Sequence, residues 1–310
     1  MAKTIKQSTM QTLEFVQKDE ILYNYILLPY NPIEFTEHSV IRDILLKSGI
    51  TNNLKTDKNE RLRISNLLYK SLEKTPLYTP INELIKDLRN KIGLNQTVWG
   101  IKNINGKVEL ELYFYRHLQH SIMEFDAILD ILSKYFLVER LTFDENLPFT
   151  MFSFDIAENM KIENANIYFS KYYEESFHSW SYKLSAKKIE FENHYEVYTQ
   201  PNYYQIPEKI LSSPFVNSET TISEILLPQL MNCSLIFLAT KRNRNGIYYQ
   251  GISINQFIVF LRKFQYPKEL IKFVELYRNQ LNYILFDIGF DYSIIDNKLD
   301  FGKSGFYGTF

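Results

Sequence analysis

Asp287 and Asp291 stand in an Asp-x-x-x-Asp spacing that, on a helix, would set two carboxylates side by side for a divalent cation. In a strand the same spacing parts them by roughly 13 Å, too far for one ion. Gly289 and the flanking aromatics favour the strand, and no metal site is expected there. His117 and His120 lie three apart, while His178 and His194 are distant in the chain. Zinc would need a third, convergent ligand, and the sequence points to none. Lys241-Arg-Asn-Arg244 and Lys187-Lys188 read as exposed basic turns, with phosphate contact the alternative for the first. There is no G-x-G-x-x-G, Walker loop, G-x-S-x-G or cysteine pair, so nucleotide, hydride and serine-hydrolase chemistry lack support.

The more informative residues alternate. Val108, Leu110, Leu112 and Phe114 face one way; Glu109, Glu111, Tyr113 and Tyr115 face the other. A tyrosine face is apolar yet able to hydrogen-bond, which suits the lining of a cavity. A glutamate on that face can hold or deprotonate a bound molecule.

The elements that must position these residues come in pairs. From residue 97 the hydrophobic period is two, which marks half-buried strands. Asn105-Gly106 between the runs 97–102 and 107–116 is a strong hairpin signal. Further pairs are 149–156 with 165–172, 179–185 with 189–198, 234–241 with 246–253, and 283–292 with 299–310, the last turning near Asp296-Asn297. Helices are expected at 39–47, 61–74, 79–93, 121–136, 218–230, 255–264 and 267–279. Short turns make paired strands antiparallel. About ten such strands tend to curl or close. The expected fold is therefore α+β: a closed antiparallel barrel of about ten strands ringed by helices, with greasy strand faces outward and the tyrosine-rich faces around a lumen. Residues 1–95 form a helical N-terminal portion packed on a barrel of residues 96–310, and the whole makes one domain.

Bulk composition sets limits. The chain has 310 residues, is 45% hydrophobic and 23% charged, and carries a net charge of −1. That balance gives no field favouring nucleic acid or an anionic membrane. Aromatics reach 15%, with 23 Tyr and 23 Phe but 2 Trp. The single cysteine, Cys233, excludes an internal disulfide and reads as a small buried residue. No apolar run is long enough for a transmembrane helix, and the first residues lack a signal core. A cytoplasmic location is the expectation.

The element order resembles that of the ABBA aromatic prenyltransferases, whose barrel of ten antiparallel strands is built from five α-β-β-α units. The likeness is best over residues 234–310. There Leu235-Ile-Phe-Leu-Ala239, a polar turn, Gly246-Ile-Tyr-Tyr-Gln250, two helices and a final hairpin resemble the family's closing units. Gly100-Ile101-Lys102, followed by Glu111-Leu-Tyr-Phe-Tyr115, resembles its first hairpin, and the pattern extends over about residues 60–310. The family often has an acidic residue and an arginine just after the first Gly-Ile; this chain has Lys102-Asn103-Ile104.

The resemblance implies transfer of an allylic isoprenoid group from its diphosphate to an aromatic small molecule or peptide. On that reading Lys102, Lys183, Lys241 and Arg116 hold the diphosphate. Parity puts Arg116 on the greasy face, so it reaches the lumen only through a bulge. Tyr113, Tyr115, Tyr168, Tyr248 and Tyr307 shield the allylic cation. Glu111 or Glu109 takes the acceptor's proton. No cofactor is required, magnesium being the one left open, and neither nucleic acid nor membrane is a partner. The alternative is a ligand- or protein-binding module without catalysis.

Overall fold

The computed structural model describes residues 12–16, 60–115, 125–141, 147–173, 176–217 and 222–310. Ten strands close into one antiparallel barrel. They are β1 (Thr97–Ile104), β2 (Lys107–Tyr115), β3 (Met151–Ile156), β4 (Asn164–Tyr173), β5 (Ser176–Ser185), β6 (Ile189–Thr199), β7 (Leu235–Lys241), β8 (Asn245–Ile252), β9 (Phe286–Ile295) and β10 (Lys298–Thr309). Each strand pairs with the next in sequence, and β10 closes the ring on β1, with Ile101 opposite Phe306 and Lys102 opposite Gly305. This sequential order is that of an up-and-down barrel rather than a jelly roll of two Greek keys. The expected closed barrel with helices outside is present.

Two turns show why the hairpins form where they do. Asn105 and Gly106 both have positive φ, at 52° and 85°, and so do Asp296 and Asn297, at 50° and 58°. Two successive positive-φ residues make the turn whose twist matches that of paired strands, and Asn, Asp and Gly tolerate it best.

The helices among the described residues are α1 (Ser65–Leu72), α2 (Tyr78–Ile92), α3 (Phe125–Ser133), α4 (Ile206–Leu211), α5 (Ile222–Ile225), α6 (Ile254–Lys263), α7 (Lys268–Leu276) and α8 (Arg278–Leu281). Of the helix expected at 218–230, the described residues contain α5 and a short 3-10 turn at Pro228–Leu230, where Pro228 removes a backbone donor. The helix expected at 39–47 lies outside the described residues. Ser253 and Gln256 start α6 with a reciprocal capping box. None of the helices among the described residues is long and apolar enough to cross a membrane.

The outward strand faces and the inward helix faces make one core. Leu110, Leu112, Phe114, Phe154, Ile236, Ile247, Phe290 and Phe306 are buried in it with Leu84, Leu88, Phe257 and Leu261 of the helices. Phe257 of α6 stacks on Phe286 of β9 with centroids 4.2 Å apart. Each such buried ring contributes about 1.5–3 kcal/mol. This core turns the opposite strand faces inward and so fixes which side chains meet in the lumen.

One stretch departs from the greasy-out rule. A bulge between Ser181 and Tyr182 places Ser181 opposite Asn193 but Tyr182 opposite Phe191. The extra residue, Glu192, reverses the parity of β6. Asn193 and Tyr195 then line the lumen, while His194 and Glu196 lie on the outer wall beside His178 and Trp180.

Candidate binding chamber in the barrel lumen

The lumen has an aromatic zone and a polar zone. The aromatic zone is a collar of rings that pass from strand to strand. Tyr307 lies 5.9 Å from Tyr113, Tyr113 6.5 Å from Tyr168, Tyr168 6.4 Å from Tyr195, and Tyr195 6.1 Å from Tyr248. Tyr115, Met151, Phe237 and Ile288, with the polar Gln250 and Asp287, complete a cavity of about 90 Å³. Burial raises the phenols of Tyr113, Tyr168, Tyr248 and Tyr307 well above the ordinary tyrosine value, helped for each by the nearby Glu111 carboxylate. They are therefore neutral hydrogen-bonding groups.

Glycines let these rings lie against the wall. A Cβ on Gly289 would run into the Tyr248 ring, well inside van der Waals contact, and one on Gly100 would meet Tyr307 at 2.8 Å. The inward faces of β1 and β9 thus need glycine to seat the collar.

The polar zone continues the lumen as a cavity of about 210 Å³. Lys102 lies 2.5 Å from Glu111 and also pairs with Asp155. Burial alone would drive the Lys102 ammonium toward its neutral form, but Asp155 and Glu111 outweigh burial and hold it well above the usual lysine value. Burial likewise opposes ionisation of Asp155, and Lys102 with Lys303 keeps its carboxyl below the usual range. Glu111 accepts hydrogen bonds of 2.6 Å from both Tyr113 and Ser153. Lys241 donates to Asp291 at 2.6 Å and to the Tyr248 hydroxyl at 3.0 Å. Asn193 donates to Ser181 and Tyr195.

The structure brings Lys102, Lys183 and Lys241 to one cavity, together with Glu111, Tyr113, Tyr168, Tyr248 and Tyr307. Tyr115 lies in the aromatic zone. Glu109 shares their parity, opposite Lys102 on β1, but is absent from both linings. Arg116 lies outside the described residues, as do His117 and His120. Asp287 and Asp291 occupy a strand as expected. Asp287 accepts from the Gly251 amide and Asp291 pairs with Lys241, so they serve different parts of the wall.

Sequence reasoning passed over Lys303, Asp155, Tyr195 and Asn193. Lys303 could have been found, because it shares parity with Gly305 and Tyr307. Tyr195 and Asn193 depend on the bulge, which nothing in the sequence announces.

Lys303, like Lys183, stands apart from the paired Lys102 and Lys241 in this set. It lines the polar zone but makes no ion pair among the described residues. The neighbouring Lys102 and Lys241, together with burial, bring its ammonium down from 10.5 to about 8. Lys102, Lys183, Lys241 and Lys303 are matched in number by Glu111, Asp155, Glu192 and Asp291 along the same cavity. The described lining is thus close to neutral.

A second cluster lies on the outer wall. His178 Nδ1 is 2.9 Å from His194 Nε2, and His194 Nδ1 is 3.7 Å from Glu196. The β5–β6 register sets His178 opposite Glu196 and Trp180 opposite His194, which is how residues far apart in sequence meet. Burial lowers the His194 pKa and favours the neutral imidazole that metals bind. Ligand atoms of His178, His194 and Glu196 all lie within 4.8 Å of one another. The three are metal-ligand types in close proximity, with the Glu196 carboxylate also accepting from Lys209 at 2.6 Å and from Tyr198 at 2.8 Å; the sequence reading did not foresee this grouping.

No family model matches the chain. It is similar to a putative JmjC domain-containing protein of Acanthamoeba polyphaga mimivirus, with 23% identity over 294 residues, covering 81% of this chain and 47% of the relative. The chain thus spans about half the length of that relative. This match overturns the identification with the ABBA prenyltransferases. With it go prenyl transfer, the allylic diphosphate donor and the aromatic or peptide acceptor. The lumen gives a physical reason that agrees. Lys102 and Lys241 are already neutralised by carboxylates, so a diphosphate would bring several negative charges into a lining with no matching excess of cations.

Proposed function

We propose that the lumen binds a small organic acid with a flat apolar body, its carboxylate toward Lys303 and its body against the tyrosine collar. The observation that supports this reading is the unpaired ammonium of Lys303, near those of Lys102 and Lys241 in a polar cavity that opens onto aromatic rings. A monoanion beside Lys303 relieves the repulsion of its ammonium by those of Lys102 and Lys241, and it brings far less charge than a diphosphate. A carboxylate paired with a lysine in a partly desolvated site gains a charge-assisted hydrogen bond. The rings supply dispersion contact and exclude water from the body of the ligand. Lys102, Glu111 and Asp155 form a braced polar floor that holds the collar in place.

Titration calorimetry with phenylpyruvate tests this reading. The native chain is expected to bind it, and Lys303→Met to weaken the binding about tenfold or more. Equal affinity of the two proteins would overturn the reading.

A second reading follows from the relative's printed name and is favoured by His178, His194 and Glu196. Two imidazoles and a carboxylate form a donor set suited to Fe(II) and related divalent ions, and on the JmjC reading such an ion would supply oxidative chemistry. The residues fit a metal by type and proximity. Their place qualifies the reading: they sit on the outer face of β5 and β6, whereas Ser181 and Tyr195 of the same strands face inward. On this reading the substrate would approach the outer wall. Metal analysis after incubation with Fe(II) under anaerobic conditions tests it. One equivalent bound by the native chain and lost in His194→Ala supports it, and no retention by the native chain would end it.

A further inference from the structure

We propose that Lys303 is an amine nucleophile that condenses with the carbonyl group of a 2-oxo acid or aldehyde held in the lumen, forming an imine. This rests on the reading of the lumen as an organic-acid chamber and gives that chamber a chemistry.

Placement makes the case. β10 presents Lys303, Gly305 and Tyr307 to the lumen in succession, at roughly 6.6 Å per inward step. Gly305 leaves the wall beside Lys303 without a side chain, and beyond it stands the collar. A molecule whose apolar body lies on the rings therefore brings its polar end to the Lys303 amine. Lys102 and Lys241 are engaged by Asp155, Glu111 and Asp291, so both amines are held by carboxylates of the wall. Lys303 makes no such pair among the described residues, and neither does Lys183; of the two, it is Lys303 that shares its strand with Gly305 and the collar residue Tyr307.

Two neighbouring ammonium groups also make the charged form of Lys303 unfavourable, which is how lysines are activated for attack on carbonyls. With its pKa near 8, about half of its amine is neutral at pH 8. An ordinary lysine is under about 1% neutral there.

The step balances without a further reactant. The neutral Nζ lone pair attacks the carbonyl carbon, the C–N bond forms and the C=O π pair moves to oxygen. The resulting carbinolamine loses water, whose oxygen comes from the carbonyl and whose two protons come from the amine. A C=N bond remains and nothing is oxidised or reduced.

The experiment is reductive trapping. The full chain is incubated at pH 8 with phenylpyruvate and sodium cyanoborohydride, then mapped by peptide mass spectrometry. Calorimetry with phenylpyruvate alone runs in parallel. The expected result is one adduct, on Lys303, formed at least about tenfold faster than on any other lysine and absent from Lys303→Arg. Lys303→Arg retains a cation in place, and its fold is checked by circular dichroism. Should that variant fail to fold, the site of the adduct in the native chain still decides. Phenylpyruvate bound without an adduct would overturn the imine and leave the organic-acid reading intact. Adducts spread evenly over other lysines would also overturn it. Absence of both binding and adduct would end both readings.

Discussion

Lys102 and Glu111 meet at 2.5 Å inside the barrel, on adjacent strands, with both side chains almost wholly shielded from water. Their Cα atoms are not register partners: Lys102 is opposite Glu109 and Glu111 is opposite Gly100. The pair is a diagonal brace across β1 and β2, and Asp155 ties it to β3. Removing Lys102 would strand the buried Glu111 carboxylate and leave the half-exposed Asp155 without its lysine. Lys102→Met is therefore expected to cost about 3–5 kcal/mol. Equilibrium unfolding in urea checks this, and Lys102→Met combined with Glu111→Gln and Asp155→Asn is expected to recover part of the loss.

The inward face of β9 demands glycine at 289, because the Tyr248 ring occupies the space a side chain would take. Gly289→Ala forces that ring or the strand to move, at a cost of about 1–3 kcal/mol. The same substitution is expected to weaken phenylpyruvate binding, since the collar loses its seat. A variant with unchanged melting temperature and unchanged affinity would contradict this picture of the wall.

Much of this arrangement was legible in the sequence. Alternation along residues 107–116 put Glu111, Tyr113 and Tyr115 on one face, and the Asn105-Gly106 and Asp296-Asn297 turns marked hairpins that the structure contains. Closure followed from strand number and pairing. What stayed hidden depends on register. The bulge at Glu192 moves Tyr195 inward and His194 outward, and no residue type near it requires a bulge. The approach of His178 to His194 needs the pairing of β5 with β6 at one-residue resolution. The functional class was misread because alternation reports which side chains face inward but not which of them are already neutralised. Lys102 looked like an anion ligand, yet it is held by Glu111 and Asp155.

Lys303 carries a pH dependence of defined sign. Its pKa in the fold is about 8, lowered from 10.5 by Lys102, Lys241 and burial. The ammonium is thus disfavoured in the folded chain, and its destabilising effect is fully present below pH 8. As pH rises from about 8 to 10.5 the unfolded chain holds the extra proton, so this group's contribution to stability improves across that window. Carboxylate binding has the opposite trend, because the ligand prefers the charged amine. Phenylpyruvate affinity, measured by calorimetry in a series of buffers, is expected to fall as pH rises through about 8. Lys303→Arg, which stays charged, is expected to lack that fall.

The outer-wall histidines are expected to bind Co(II) with a visible absorption band that His178→Ala and His194→Ala abolish. Binding is expected to weaken as the pH falls and the imidazoles take up protons. Because burial lowers the His194 pKa, that loss should come at lower pH than for an exposed histidine. Phenylpyruvate affinity is expected to be unchanged in both variants, since those side chains are on the far side of the wall.

The most direct measurement of the central claim is the position of a bound aryl carboxylate in a crystal of the full chain, marked by the anomalous signal of a ring bromine. The predicted result is bromine among Tyr113, Tyr168 and Tyr248, with the carboxylate within hydrogen-bond distance of Lys303. Bromine on the outer surface alone, with the lumen filled only by the protein's own side chains and water, would contradict it.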